Sequence, residues 1–179
     1  MKLSKVMLCL FFLALAASCG KGDKAKWTEY TSEEGNFTVL MPNPEIETEQ
    51  STQNTAAGPV EVYSYSTFKG TTFFMVKYND MNLGDVELTG ADKQEILESG
   101  VDGALNAYPD GEFIYKRDIT LDGHPGKEYR LEGTKNDLEL VTFGRIYLVD
   151  SRLYQTVVTA TYNEAGDESI AKFLNSFKL

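Results

Sequence analysis

The sequence predicts an α+β fold, an antiparallel β-sheet sandwiched by helices, on three observations. Eight short runs rich in β-branched and aromatic residues are bounded by turn residues. Two pairs of these runs are joined by connections short enough to be hairpins, and just two segments carry apolar residues at the helical period. Strands that outnumber helices and connect this tightly make an antiparallel sheet rather than an alternating parallel one.

The strand runs, in order, are residues 27–31, 37–40, 60–68, 71–78, 113–120, 127–132, 138–149 and 152–161. Phe68-Lys69-Gly70-Thr71 and Val149-Asp150-Ser151-Arg152 read as the hairpin turns. The run 138–149 is apolar on both faces, with Leu140, Ile146 and Leu148 on one and Val141, Phe143, Tyr147 and Val149 on the other. Such a strand belongs inside the sheet, covered on both sides. Residues 45–58, polar and rich in Thr, Gln and Asn, read as an extended connection or a solvent-facing strand.

The first helix is expected over residues 91–108, where Leu97, Val101, Ala104 and Tyr108 form one stripe and Thr89 with Asp92 resembles a capping box. Gly100 and Gly103 each weaken it by about 1 kcal/mol relative to alanine, so it must lean on tertiary packing. The second is expected over residues 167–177, with Ile170, Phe173, Leu174 and Phe177 at i, i+3, i+4 and i+7. An amphipathic face of this kind docks on its own sheet far more often than on a partner.

Ahead of this domain stands a leader. Lys2 and Lys5 precede an apolar or small-residue run of twelve, Val6 to Ala17, which falls short of the roughly 20 residues a membrane span requires. Ala16-Ala17-Ser18-Cys19 then resembles the lipobox of bacterial lipoproteins, with Leu15 four residues before the cysteine where that family usually has Leu at three. The resemblance implies cleavage before Cys19, diacylation of its thiol with chains such as palmitate, and attachment to membrane lipid. The chain therefore divides into a signal peptide at 1–18, a lipidated tether at 19–26 and a single domain at 27–179. Gly20 to Lys26 spans roughly 25 Å at full extension, which holds the domain near its membrane. Gly20 is not the aspartate that retains many lipoproteins at the inner membrane. As for lipoproteins generally, the expectation is a bacterial cell-envelope location at the outer membrane, facing the periplasm.

Composition excludes several chemistries. Cys9 leaves with the signal and Cys19 carries lipid, so the folded part has neither a disulfide nor a thiolate nucleophile. Of 17 basic and 27 acidic residues, five basic (Lys2, Lys5, Lys21, Lys24, Lys26) and one acidic (Asp23) precede Trp27, leaving 12 and 26, a net of −14. A domain so acidic repels phosphate backbones, and no nucleic-acid partner is expected.

From Trp27 onward the layout resembles the PsbP/Mog-type fold. The residues that carry the resemblance are Trp27 to Tyr30, Glu34-Gly35-Asn36-Phe37-Thr38-Val39-Leu40-Met41-Pro42 with Pro44, and Thr55-Ala56-Ala57-Gly58-Pro59. Gly123-His124-Pro125-Gly126-Lys127-Glu128, Arg145-Ile146-Tyr147-Leu148-Val149, Arg152-Leu153-Tyr154 and Phe173-Leu174-Asn175-Ser176-Phe177 follow. The resemblance implies a twisted antiparallel sheet between helices and no catalytic activity, since such proteins mostly bind or stabilise other proteins, among them a photosystem, a small GTPase and secretion effectors.

The chain carries few residue patterns with a chemical role. His124, the sole histidine, sits in the tight Asp122-Gly123-His124-Pro125-Gly126 loop without a nucleophile elbow or a second histidine at ligand spacing, which favours a turn residue over a base or ligand. Asn79 to Glu87 gathers oxygen ligands, but Gly84 falls fifth counting from Asp80 and no glutamate stands twelfth, so a solvated acidic loop is favoured over a calcium site. No carboxylate pair has the apolar context that raises one pKa for general-acid work. Tyr63 and Tyr65 share a strand face, as stacking platform or as sheet core. The expectation is a non-catalytic, lipid-anchored envelope protein without cofactor or metal that binds or stabilises another envelope protein. The alternatives are a small-molecule or ion-binding lipoprotein and, behind it, a carboxylate-dependent hydrolase.

Overall fold

The computed structural model describes residues 26–55, 58–84 and 86–179; the leader, Cys19 and the tether through residue 25 lie outside the described residues. Strands β1 (Thr28–Ser32) and β2 (Phe37–Met41) form a two-stranded hairpin. There follow β3 (Glu47–Thr55), β4 (Gly58–Lys69), β5 (Thr72–Asp80) and helix α1 (Gly90–Asp102), which tightens into a 3₁₀ turn over Gly103–Ala107. The chain continues through β6 (Glu112–Leu121), β7 (His124–Lys135), β8 (Leu138–Val149), β9 (Arg152–Thr161) and the short helix α2 (Glu168–Leu174). Strands β3 to β9 make one seven-stranded sheet in the order β3-β4-β5-β9-β8-β7-β6, with every neighbouring pair antiparallel. Two meanders, β3-β4-β5 and β6-β7-β8-β9, are thus joined through α1 and fused where β9 pairs with β5.

The sheet is covered on both faces. On one, α2 and the β1–β2 hairpin bury Phe37, Val39, Met41, Phe74, Val76, Tyr78, Tyr154, Val158, Phe173 and Phe177 in a core rich in aromatic rings. On the other, Leu97 and Val101 of α1, with Tyr108, close over Tyr129, Leu131, Ile146, Leu148 and Leu153. Strand β8 serves both, sending Ile146 and Leu148 to the α1 side and Tyr147 to the α2 side, as its two apolar faces require. The α+β sandwich read from the sequence is the observed architecture.

The helices are shorter than their periodicity suggests, and the reason is local. Thr89 and Asp92 form a reciprocal capping box that starts α1, but the α-helix ends at Asp102 and the next turn is 3₁₀. Leu97, Val101 and Tyr108 nonetheless remain on the buried stripe. Gly100 weakens the helix and also permits its docking, because a Cβ there would collide with Ile146 Cδ1. α2 ends at Leu174, where Arg145 Nη1 donates to the Leu174 carbonyl at 2.9 Å and Nη2 to Asn175 Oδ1 at 2.8 Å, stopping the helix against β8. Residues 47–55, within the soft polar stretch, form an edge strand paired along its whole length from Glu47↔Ser66 to Thr55↔Gly58. A polar, acid-bearing edge discourages further strand addition.

Candidate functional site

The two helices do not cover the sheet equally. α1 makes its main contacts with β7 and β8, and among the described residues neither helix makes a comparable contact with the same face of β4 and β5. Side chains on β5 alternate: Phe74, Val76 and Tyr78 are buried on the α2 side, whereas Phe73, Met75 and Lys77 point to the open half and stay half-buried. Register extends the surface sideways. Met75 lies between Ser66 of β4 and Val157 of β9, Phe73 between Phe68 and Thr159, and Lys77 between Ser64 and Gln155. Phe68, 52% exposed, sets its ring 5.0 Å from that of Phe73 at the margin. The result is an apolar strip of Phe68, Phe73, Met75 and Val157 bordered by short polar side chains. An apolar strip on a polar protein surface is what a protein-binding face presents.

Lys77 stands in this face without a hydrogen bond or ion pair among the described residues. Loss of water alone acts on its ammonium and pushes its pKa below the ordinary lysine value, with no carboxylate opposing the shift. Most other cations of the sheet are matched, the exposed Lys135 at the end of β7 excepted. Lys127, 6% exposed, reaches Asp118 at 2.7 Å and Glu98 at 2.8 Å. Arg152 grips both oxygens of Asp80 at 2.6 and 2.7 Å, stacks 4.6 Å over the Tyr78 ring and donates to the Glu34 carbonyl, tying β9 to the hairpin.

The opposite end of the sheet holds the most enclosed carboxylate. Glu128 is 5% exposed and accepts from Arg117, from Arg145 Nε at 2.6 Å and from the Tyr115 hydroxyl at 3.3 Å. Burial works to raise its pKa, but the bonds and charges of Arg145 and Arg117 outweigh burial and hold the carboxyl below its ordinary value. A carboxylate locked in the ionised state joins strands β6, β7 and β8; a general acid needs the reverse.

The residues singled out from sequence fall in separate places. His124 opens β7, half-buried and paired in register with Leu121. Asp80 is engaged by Arg152, which holds its carboxyl below the usual range, and Asp85 lies outside the described residues. No three His, Cys, Asp or Glu side chains converge as a metal site among the described residues. Tyr63 and Tyr65 do share a face, and both pack into the aromatic core, Tyr63 stacking on Tyr78 at 5.0 Å. Two surface hollows stand out, one of about 310 Å³ bordered by Asp110, Glu112, Ile114, Glu132 and Tyr162, the other of about 340 Å³ beside Trp27, Lys69 and Lys172. Neither lies between a helix and the open half of the sheet. No described helix is long and apolar enough to cross a membrane.

No family model matches the sequence, and no curated relative matches it. Among solved structures, the chain is similar to cyanobacterial PsbP (CyanoP) from Synechocystis sp. PCC 6803, with a TM-score of 0.54 and 11% identity over 92% of this chain and 98% of that one. The fold is PsbP-like. LpqN, involved in cell envelope biogenesis of Mycobacterium tuberculosis, gives a TM-score of 0.49 at 13% identity, covering 86% of this chain and 90% of its own. A Pseudomonas aeruginosa protein of unknown function gives 0.47 at 14% identity, covering 81% and 90%.

Residue patterning alone does not mark the open half of this PsbP-like sheet. One signal was present: Lys77 is the sole charge in Phe73-Phe74-Met75-Val76-Lys77-Tyr78, on the same strand face as Phe73 and Met75.

Proposed function

We propose that this protein is a non-catalytic lipoprotein of the bacterial cell envelope, held to the outer membrane through acylated Cys19 and facing the periplasm, that binds another envelope protein. The observation that carries the binding role is the half-covered sheet, where Phe68, Phe73, Met75 and Val157 lie in register away from the main contacts of α1 with β7 and β8. Supporting the anchor are the short apolar leader and the small residues ahead of Cys19. Supporting a role without catalysis is the state of the most enclosed carboxylate, Glu128, held ionised by two arginines. The acidic balance of the domain argues against a nucleic-acid partner.

The test joins anchor and face. A photoreactive phenylalanine analogue at position 75, in the full chain in its native membranes, is expected to crosslink one protein in stoichiometric yield. The same analogue at Ala171, exposed on α2, is expected to give no such product. Cys19→Ser should move the protein from the membrane to the soluble fraction and reduce the crosslink. Equal products at both positions, or none at position 75, would overturn the reading.

A further inference from the structure

We propose that the open half of the sheet receives an apolar segment of a partner protein carrying an aspartate or glutamate, whose carboxylate pairs with Lys77. The inference rests on the proposed binding role and specifies the chemistry of the partner.

Charge complementarity selects this occupant. Lys77 Nζ is a cation with no acceptor among the described residues, on a face whose neighbouring positions are Met75 and Asn79 along the strand and Ser64 and Gln155 across it. The nearest acids on that face by register are Glu49, two strands away opposite Ser64, and Glu47 beside Ser66. Adjacent strands lie about 4.8 Å apart, so Glu49 on β3 stands some two strand spacings from Lys77. No bond from either acid reaches it. A docked segment covering Phe68, Phe73, Met75 and Val157 would strip remaining water from the ammonium, and an unpaired charge in that position opposes binding. A segment that brings a carboxylate converts the opposing contribution into an orienting one, since a desolvated pair fixes register and rejects uncharged competitors. The chain's own net charge of −10 disfavours a second copy, which would bring two acidic surfaces together.

Zero-length carbodiimide coupling reads this contact directly, because it joins an amine to a carboxylate only where the two already touch. The full chain in its native membranes would be treated with carbodiimide, digested and sequenced by mass spectrometry. An isotopically labelled copy would mark links between identical chains. The expected result is an isopeptide between Lys77 and an Asp or Glu of a different protein, lost in Lys77→Met, with the position-75 photocrosslink to that protein at least tenfold weaker in Lys77→Glu and retained in Lys77→Arg. If position 75 still captures a protein equally well in Lys77→Glu, the carboxylate contact is wrong and the binding role stands. If position 75 captures nothing, both fall. A Lys77 link to a second copy of this chain overturns the occupant. So does protection of Lys77 from reductive methylation by phosphatidylglycerol vesicles alone, which assigns the face to lipid.

Discussion

At the scale of single residues, Glu128 and Lys77 show how the same sheet treats a buried and a half-buried charge differently. Glu128 is surrounded by donors from three strands, and its pKa lies below the ordinary value because Arg145 and Arg117 outweigh the effect of burial. The stabilisation it contributes is complete above the unfolded carboxylate value and is lost as pH falls through the lower folded value. Thermal unfolding followed from pH 6 downward should therefore show stability declining below about pH 4.5. Glu128→Gln should lower stability at pH 6 by roughly 2 kcal/mol, less than for a fully enclosed pair because Arg117 reaches solvent, and should flatten the acid decline. An unchanged pH profile in the variant would remove Glu128 from that role. Lys77 has no such partners among the described residues, which is why its proposed role is in binding.

At the scale of elements, α1 depends on both its cap and its docking. Thr89 accepts from the Asp92 amide, and Asp92 Oδ2 accepts from the Thr89 amide at 2.8 Å. Thr89→Ala should cost about 1 kcal/mol in urea unfolding and raise amide exchange through the first turn of α1 without touching β7 and β8. The elements themselves were legible where periodicity was strong: β8 with two apolar faces, the stripe of Leu97 and Val101, and the two tight hairpins all stand where the sequence puts them. β3 was half legible, since an edge strand held by backbone pairing to β4 needs no hydrophobic alternation. The end of α1 was not legible, because the apolar stripe continues to Tyr108 through a 3₁₀ turn that preserves its burial. The open half of the sheet was hidden for a different reason. Residue patterns tell which strand faces are apolar, but only the position of α1 over β7 and β8 tells which of those faces is left without cover.

At the scale of the molecule, the fold is a PsbP-like sandwich with one face sealed by α2 and the hairpin and the other sealed over one half only. The proposed partner therefore rests on the less covered part of this face, around Phe68, Phe73, Met75 and Val157 on β4, β5 and β9. The folded part contains no cysteine of its own, so single thiols can report on each surface separately. Ser66→Cys places a thiol on the open half between Glu47 and Met75, and Ala171→Cys places one on the exposed side of α2. The deciding measurement is the rate of maleimide labelling of each thiol in native membranes against the same protein purified in detergent. At least tenfold slower labelling is expected at position 66 in membranes, with position 171 unchanged. Equal rates at position 66 in the two preparations would contradict it.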